Sequence, residues 1–435
     1  MKKRFLLLAL VLTVFCSNLA AQKQTAIHTE DIDNFWAAYD AIQKTNDLSK
    51  KMEIINSQYI NIGSKGLKAF MVTRQYNDTL WIELIDKLPK FWNSIRPNTL
   101  AIKHKTAELE LGVKKLKAIY PDLKPAEIYF TVGGLRSGGT VKDNLILVGA
   151  EIATGNVNTD VSEFSNDWFK NVFKEQSLDN IVYLNIHEYI HTQQNPNGSS
   201  LLGQVIREGS CDFIAELCLQ KPVKTKYMNY GLANAASIKA NFKKELFSDS
   251  FDNWLYNGKQ RSEDADLGYY IGYEICKAYY QQAKNKKQAI KDIIELNFGS
   301  DNAVELFLEK SGFYADKLDK KAIKEAYEKL QPTIVNLAPF TNGDQNVDAT
   351  TKELSIVFSK PMVPQKYSIN LSEKGKLYFP IKSVKGYETD EKTLVLNMEL
   401  KPQQEYEFVI TNRGFKSKDG YALKDTAYVV KFKTK

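Results

Sequence analysis

The sequence predicts an α+β chain in two parts: a mostly helical part with a small sheet, followed by an all-β sandwich. Three observations carry this. Apolar residues recur at three- and four-residue spacing through most of residues 29–330, the period of helices with one buried face. Two β-rich runs, "AEIYFTVGG" and "NLILVGAEIA", interrupt that pattern. Beyond Pro332, turns recur about every ten residues between short alternating runs, the rhythm of a sandwich of about 100 residues.

The first stretch, "MKKRFLLLALVLTVFCSNLAAQ", has a basic start, an apolar run from Phe5 to Phe15, then small and polar residues. That is the layout of a secretory signal over residues 1–21, with cleavage after Ala21. The run is too short for a comfortable membrane span. Cys16 offers a lipoprotein alternative, but "TVFC" lacks the small residue that usually precedes a lipidated cysteine. No later apolar run spans a bilayer. The expectation is therefore an exported bacterial protein without a membrane span, periplasmic, cell-surface or extracellular.

With 435 residues, 43% of them hydrophobic, the chain can build two or three cores. The net charge is +7; without Lys2, Lys3 and Arg4 of the signal it is 7 − 3 = +4, spread among acidic residues. That describes a solvated mixed surface, and no nucleic-acid partner is expected. Cys211, Cys218 and Cys276 remain after cleavage, an odd number. The first two lie about 10 Å apart along one helix, too far to bridge, so buried thiols are expected.

Residues 22–331 read as one domain, helical over 22–120 and carrying the chemistry over 121–331. "DIDNFWAAYDAIQ", "DLSKKMEIINSQYI" and "DTLWIELIDKLPKFWNSI" each open on an aspartate able to cap a helix, and Pro89 ends or kinks the third. The two β-rich runs, separated by "LRSGGTVKD", suggest a hairpin. "GGLRSGG" (133–139) lacks the following helix and the Lys-Ser/Thr ending of a phosphate loop. As part of a hairpin it offers an edge where an extended peptide can add as a strand. Helices return over 157–330, broken at "NPNGSS", "QKPV" and "NFGSDN".

The tail, 332–435, resembles bacterial Ig-like domains in "ELSIVFSKPM", "LKPQQEYEFVIT" and "GFKSKDGYAL". The resemblance implies a spacer or adhesion module, with a cell-surface or protein partner.

The chemistry sits in "HEYIH", residues 187–191. Residues four apart on a helix share one face about one turn apart, so His187 and His191 can bind one zinc ion without strain. Glu188, roughly 100° around the helix, can reach a water at the metal without ligating it. A solvated or core histidine pair is the plain alternative, and a third ligand decides between them. The next helix, "LLGQVIREGSCDFIAELCLQ", offers Glu208, 208 − 191 = 17 positions on. A short loop makes the two helices antiparallel neighbours, which brings Glu208 level with the histidines. Asp212, four residues later on the same face, can fix a histidine tautomer. Glu216 is a fallback ligand. Cys211 reads as a core thiol.

"HEYIH" followed by "REGSCDF" resembles the gluzincin metallopeptidases, and the Glu-Gly pair at 208–209 is similar to the poorly characterised DUF2268-like bacterial zincins. The resemblance implies a zincin-like fold, zinc held by His187, His191 and Glu208, Glu188 as general base, and Asp212 supporting a histidine. The chain departs from familiar gluzincins in having no histidine after His191 and no G-x-M-E-N stretch. A tyrosine can stand in for the missing transition-state donor. "DLGYYIGYEICKAYY" offers Tyr269, Tyr270 and Tyr273, and Tyr270 is the choice among them, though most of the 23 tyrosines serve packing. His28 and His104 read as non-functional. The expected function is an exported zinc peptidase acting on a peptide or protein substrate. The alternative is a zinc-binding or inactive surface protein on the same fold.

Overall fold

The computed structural model describes residues 25–165, 167–174, 176–195, 198, 200–258, 264–364 and 367–435. The signal segment 1–21 with Cys16 lies outside the described residues. Two compact units divide the chain: one takes residues up to 114, 122–164 and 177–185, the other 115–121, 165–176 and 186–435. No described helix is long and apolar enough to cross a membrane.

The first unit is built from α1 (Glu30–Ile42), α2 (Leu48–Ile55), α3 (Lys65–Arg74), α4 (Asp78–Lys87), α5 (Pro89–Ala101), the start of α6 (Thr106–Ile119), and α7 (Ala150–Ala153). Of the three aspartates expected to cap, only Asp47 does, accepting from the Lys50 N–H at 3.1 Å. Asn77, not Asp78, caps α4, accepting from the Leu80 N–H at 2.8 Å. Asp31 is buried in α1 and instead accepts from the Ser64 N–H at 3.0 Å. Pro89 opens α5, where a missing N–H is harmless. Phe35, Trp36, Tyr59, Trp81 and Trp92 form an aromatic core of edge-to-face and tilted pairs. Each such pair adds about 0.5–1.5 kcal/mol beyond burial.

Beside these helices lies a four-stranded sheet: β1 (Ile27–His28), β2 (Glu127–Thr131), β3 (Gly139–Lys142) and β4 (Leu145–Gly149), in the order β1-β2-β4-β3. The two β-rich runs are not a hairpin with each other. β2 and β4 are parallel neighbours, Glu127 opposite Leu145. The chain passes β4, lays down β3, and the hairpin is β3–β4, Gly139 opposite Val148. β3 is thus an edge strand, as the peptide-addition idea requires.

Glu151, fully buried on α7, accepts from the Gly133 N–H at 2.8 Å and the Leu135 N–H at 3.1 Å, pinning the chain after β2. Burial raises its pKa to about 7, and the backbone donors only partly offset this. A carboxyl raised from 4.5 to about 7 is held protonated by the fold. Its unfolded counterpart ionises first, so the contribution of Glu151 to stability is fully present below about pH 4.5 and is lost as pH rises through about 7. Urea unfolding at pH 5 and pH 8 should therefore show a smaller loss of stability in Glu151→Gln than in wild type. Equal pH dependence in both would contradict the assignment.

The second unit holds α8 (Trp168–Phe173), the end of α9 (Ile181–His191), α10 (Leu201–Leu219), α11 (Lys226–Ala233), α12 (Ala235–Glu245), α13 (Leu267–Gln282), α14 (Lys286–Ile294), α15 (Asp301–Ser311) and α16 (Lys320–Leu330). α10 and α13 cross at a pair of glycines. A Cβ on Gly209 would lie 2.1 Å from the Tyr273 nitrogen, and one on Gly272 would lie 1.9 Å from the Val205 carbonyl oxygen. The backbones therefore touch, and only glycine fits at either position.

The same unit ends in seven strands, β5 (Ile334–Ala338), β6 (Glu353–Phe358), β7 (Ile369–Leu371), β8 (Ile381–Tyr387), β9 (Thr393–Met398), β10 (Glu405–Thr411) and β11 (Ala427–Lys433). They form two antiparallel sheets, β5-β6-β9-β8 and β11-β10-β7. Alternate residues face inward, so Leu354, Ile356 and Phe358 share one core with Phe408, Ile410, Val430 and Phe432. The fold class is therefore as the sequence predicts: a helical part with a small sheet, then an all-β sandwich.

Candidate metal centre

α9 carries His187 and His191 at i and i+4, their ring centroids 4.9 Å apart. α10 starts at a Ser200 cap, which accepts from the Gly203 N–H, and runs unbroken through Glu208 and Asp212. The structure brings all four together. Glu208 Oε2 lies 3.1 Å from His191 Nε2 and 3.7 Å from His187 Nε2. Asp212 Oδ1 lies 2.7 Å from His187 Nδ1, and Gln194 Oε1 lies 2.7 Å from His191 Nδ1.

Those last two partners set the tautomers. A carboxylate and an amide oxygen can only accept, so each Nδ1 carries the proton it donates. The orientation of Gln194 follows from its own nitrogen, which donates to the Arg207 carbonyl at 3.0 Å and to Ser210 Oγ at 2.8 Å. In the neutral rings both Nε2 lone pairs then point toward a carboxylate oxygen. Three electron-rich atoms at this range are neutralised either by a cation held between them or by a proton on Nε2 that is donated to Glu208. Without an ion, the local charge favours the proton on His187. Burial disfavours a charged His187, but the Asp212 hydrogen bond and charge, with Glu208 and Glu188, outweigh it and raise its pKa to about 10. Burial pushes Glu208 up; the positive field of His191 and the histidine hydrogen bonds prevail and hold it well below the usual carboxylate range.

Glu208 is fixed from its other oxygen. Oε1 accepts from Gln204 Nε2 at 3.0 Å, Arg207 at 3.2 Å and the Tyr256 hydroxyl at 2.9 Å. Asp212, fully buried, accepts from the Tyr227 hydroxyl at 2.8 Å through Oδ2. Such fixed donors suit a divalent ion with two imidazoles and one carboxylate, the set zinc takes with a position left open.

The ligand atoms of His187, His191 and Cys211 all lie within 4.8 Å of one another. Cys211 Sγ, however, sits 3.4 Å from His191 Nδ1, the nitrogen already bound to Gln194. Burial and then the Glu208 charge raise its thiol well above the usual range, which opposes a thiolate. The carboxylate set uses the free Nε2 edge of both rings and leaves both Nδ1 hydrogen bonds in place.

Two other candidates have partners of their own. Tyr270, chosen from the sequence as the catalytic phenol, packs its ring onto Gly231 of α11. Its neighbour Tyr269 stacks on His187, 6.3 Å between centroids, and on Tyr227 at 5.1 Å. Glu216, the fallback ligand, is committed elsewhere: it accepts from the Tyr273 hydroxyl at 2.6 Å and the Val223 N–H at 2.9 Å, securing the end of α10. Sequence reasoning missed Tyr256, Gln194, Gln204 and Tyr227. Burial, followed by the Glu208 charge, holds the phenols of Tyr256 and Tyr269 above their ordinary pKa, so both remain donors at neutral pH.

The chain was compared with known proteins. No curated protein matches it. Among solved structures it is similar to CopC from Methylosinus trichosporium OB3b, at 21% identity and a TM-score of 0.20, over 24% of this chain and 93% of that one. The S-layer protein rSbsC(31-844) is 12% identical with a TM-score of 0.18, over 65% of this chain and 43% of that one. The structure of surface layer protein SbsC, domains 1-6, gives 12% and 0.18, over 93% and 45%. This chain thus spans less than half the length of both surface-layer structures. Residues 328–434 match the bacterial Ig-like domain. Residues 18–313, more than half of the chain, match the family described as gliding motility protein GldB, and the protein belongs to that family.

Proposed function

We propose that this protein is an exported, zinc-dependent peptidase. The reading rests on one observation: Glu208 Oε2 converges on both histidine Nε2 atoms, at 3.1 and 3.7 Å, while each Nδ1 is already engaged. His187, His191 and Glu208 would hold the ion. Zinc bound there would supply a Lewis acid that makes water a nucleophile near neutral pH and polarises a peptide carbonyl. Glu188 lies beside His187 and contributes its charge to that ring. As general base it takes the proton of the attacking water and returns it to the leaving amine nitrogen. Asp212 and Gln194 keep the rings turned. Tyr256 spends its proton on Glu208, so Tyr269, beside His187, is the phenol left for charge developing on the scissile oxygen. The substrate would be a peptide or protein, and the Ig-like sandwich a surface for a cell-envelope or protein partner.

Casein digestion tests this. Wild type should cleave, a chelator should stop it, and Glu188→Gln should keep zinc while losing about 10²–10⁴-fold in rate. Cleavage by Glu188→Gln at the wild-type rate would refute the mechanism.

A second reading, a zinc-binding but inactive surface protein, is favoured by the motility description of the family and by the Ig-like tail. It predicts bound zinc with no cleavage by wild type. Both readings place the protein in the cell envelope or outside it. A lipoprotein family also adds weight to an anchor at Cys16, which the residues before that cysteine disfavour.

A further inference from the structure

The phenol that grips Glu208 is held in an unfavourable backbone. Tyr256 has φ +58°, a left-handed conformation that bulky residues avoid, and 57% of the residue is exposed. Its hydroxyl nevertheless donates to Glu208 and accepts from Gln204 at 2.7 Å. Something outside the segment must hold it so.

The segment is tied at several points. The Ser248 carbonyl accepts from the Leu201 N–H at 2.9 Å, at the head of α10. The Trp254 carbonyl accepts from the Gly268 N–H at 2.7 Å, at the head of α13. Asn257 and Asp266 exchange two hydrogen bonds, at 2.9 and 2.8 Å. The remaining ties come from the Ig-like sandwich. Lys416 Nζ lies 3.3 Å from Asp252 Oδ2, and Lys416 is only 14% exposed there. Gly420, φ +99°, lies so close to Asn253 that a Cβ would be 2.4 Å from its side-chain oxygen. Asn253 in turn donates to the buried Glu245 at 3.1 Å. The turn that makes these contacts is itself stiff: Ser417 and Tyr421 are bonded N–H to carbonyl at 2.8 Å, and Lys360 pairs with Asp419 at 2.8 Å.

We propose that the Ig-like sandwich braces the metal centre, its 416–421 turn holding residues 252–258 in the form that presents Tyr256 to Glu208. Lys416 and Gly420 are then positioning residues. The proposal deepens the zinc reading and rests on it for the consequence at the metal. It differs from a spacer or adhesion role, in which the tail could be detached without effect on the site.

The test uses the full chain labelled with 3-fluorotyrosine, the Tyr256 ¹⁹F signal being assigned with Tyr256→Phe. Lys416→Glu sets two carboxylates against each other, and Asp252→Lys, on the more exposed side of the pair, sets two cations. Each should move the Tyr256 signal and speed exchange of the Gly268 amide about fivefold or more. The double variant, with the charges swapped, should restore both. A Tyr256 signal and Gly268 exchange unchanged in the single variants would overturn the proposal, as would failure of the swap to restore them. A wild type that binds no zinc would refute the peptidase reading, and the ¹⁹F and exchange comparison would still decide the brace.

Discussion

Glu208→Ala is expected to weaken zinc binding by at least about a hundredfold, more than the 10–100-fold typical of losing a residue that only supports a ligand. Glu208 supplies the oxygen that faces both histidine Nε2 atoms. Its other oxygen is clamped by Gln204, Arg207 and Tyr256, so the donor is pre-set and little ordering is needed on binding. Truncation also strands those three donors around a missing partner. Asp212→Asn should fall in the smaller range, because it disturbs only the His187 tautomer. Cys211→Ser should leave affinity unchanged, since that sulfur addresses the opposite edge of His191. Competition with a fluorescent chelator reads all three. Unchanged affinity in Glu208→Ala, or a large loss in Cys211→Ser, would show that the donors are wrongly assigned.

Gly209→Val is expected to be the most destabilising single change in the second unit. The added Cβ alone would be 2.1 Å from the Tyr273 nitrogen and 2.3 Å from the Gly272 carbonyl carbon, both backbone atoms. No rotamer relieves that contact, so α10 and α13 must separate. Overpacking of this kind costs about 3 kcal/mol or more, which lowers Tm by roughly 6–12 °C for a unit of this size. Because Gly209 follows Glu208 and Tyr269 rides on α13, the His187–His191–Glu208 cluster should loosen too. Calorimetry of the variant checks this; a Tm within about 2 °C of wild type would contradict the close crossing.

How legible the site was depends on how each residue reaches it. His187 and His191 needed only the pitch of one helix. Glu208 and Asp212 followed because the short connection from α9 leaves the next helix little choice but to lie alongside. Tyr269 and Tyr270 could not be told apart, because α13 buries residues around most of its circumference. Leu267, Tyr270, Ile271, Tyr273 and Ile275 are all buried, so no polar stripe reveals its rotation. Tyr256 comes from an irregular segment with a left-handed residue, where periodicity is silent. The "NG" that follows it signals a turn, and nothing in that signal points to a carboxylate 48 positions back.

The fold divided in the same way. The strands of the sandwich were visible because inner and outer faces alternate in polarity. In the small sheet the runs were visible and their pairing was not. β2 and β4 are buried on both faces, so their sequences carry no alternation to favour an antiparallel partner over a parallel one. At the helix starts, Asp31 was drawn to Ser64, and the neighbouring Asn77 displaced Asp78 as a cap.

X-ray absorption at the zinc edge of the purified full-length protein tests the central claim most directly. One zinc per chain, with nitrogen and oxygen neighbours at about 2.0–2.1 Å, two of them imidazole, and no sulfur is the predicted result. A sulfur neighbour at about 2.3 Å, or a chain that takes up no zinc at all, would contradict it.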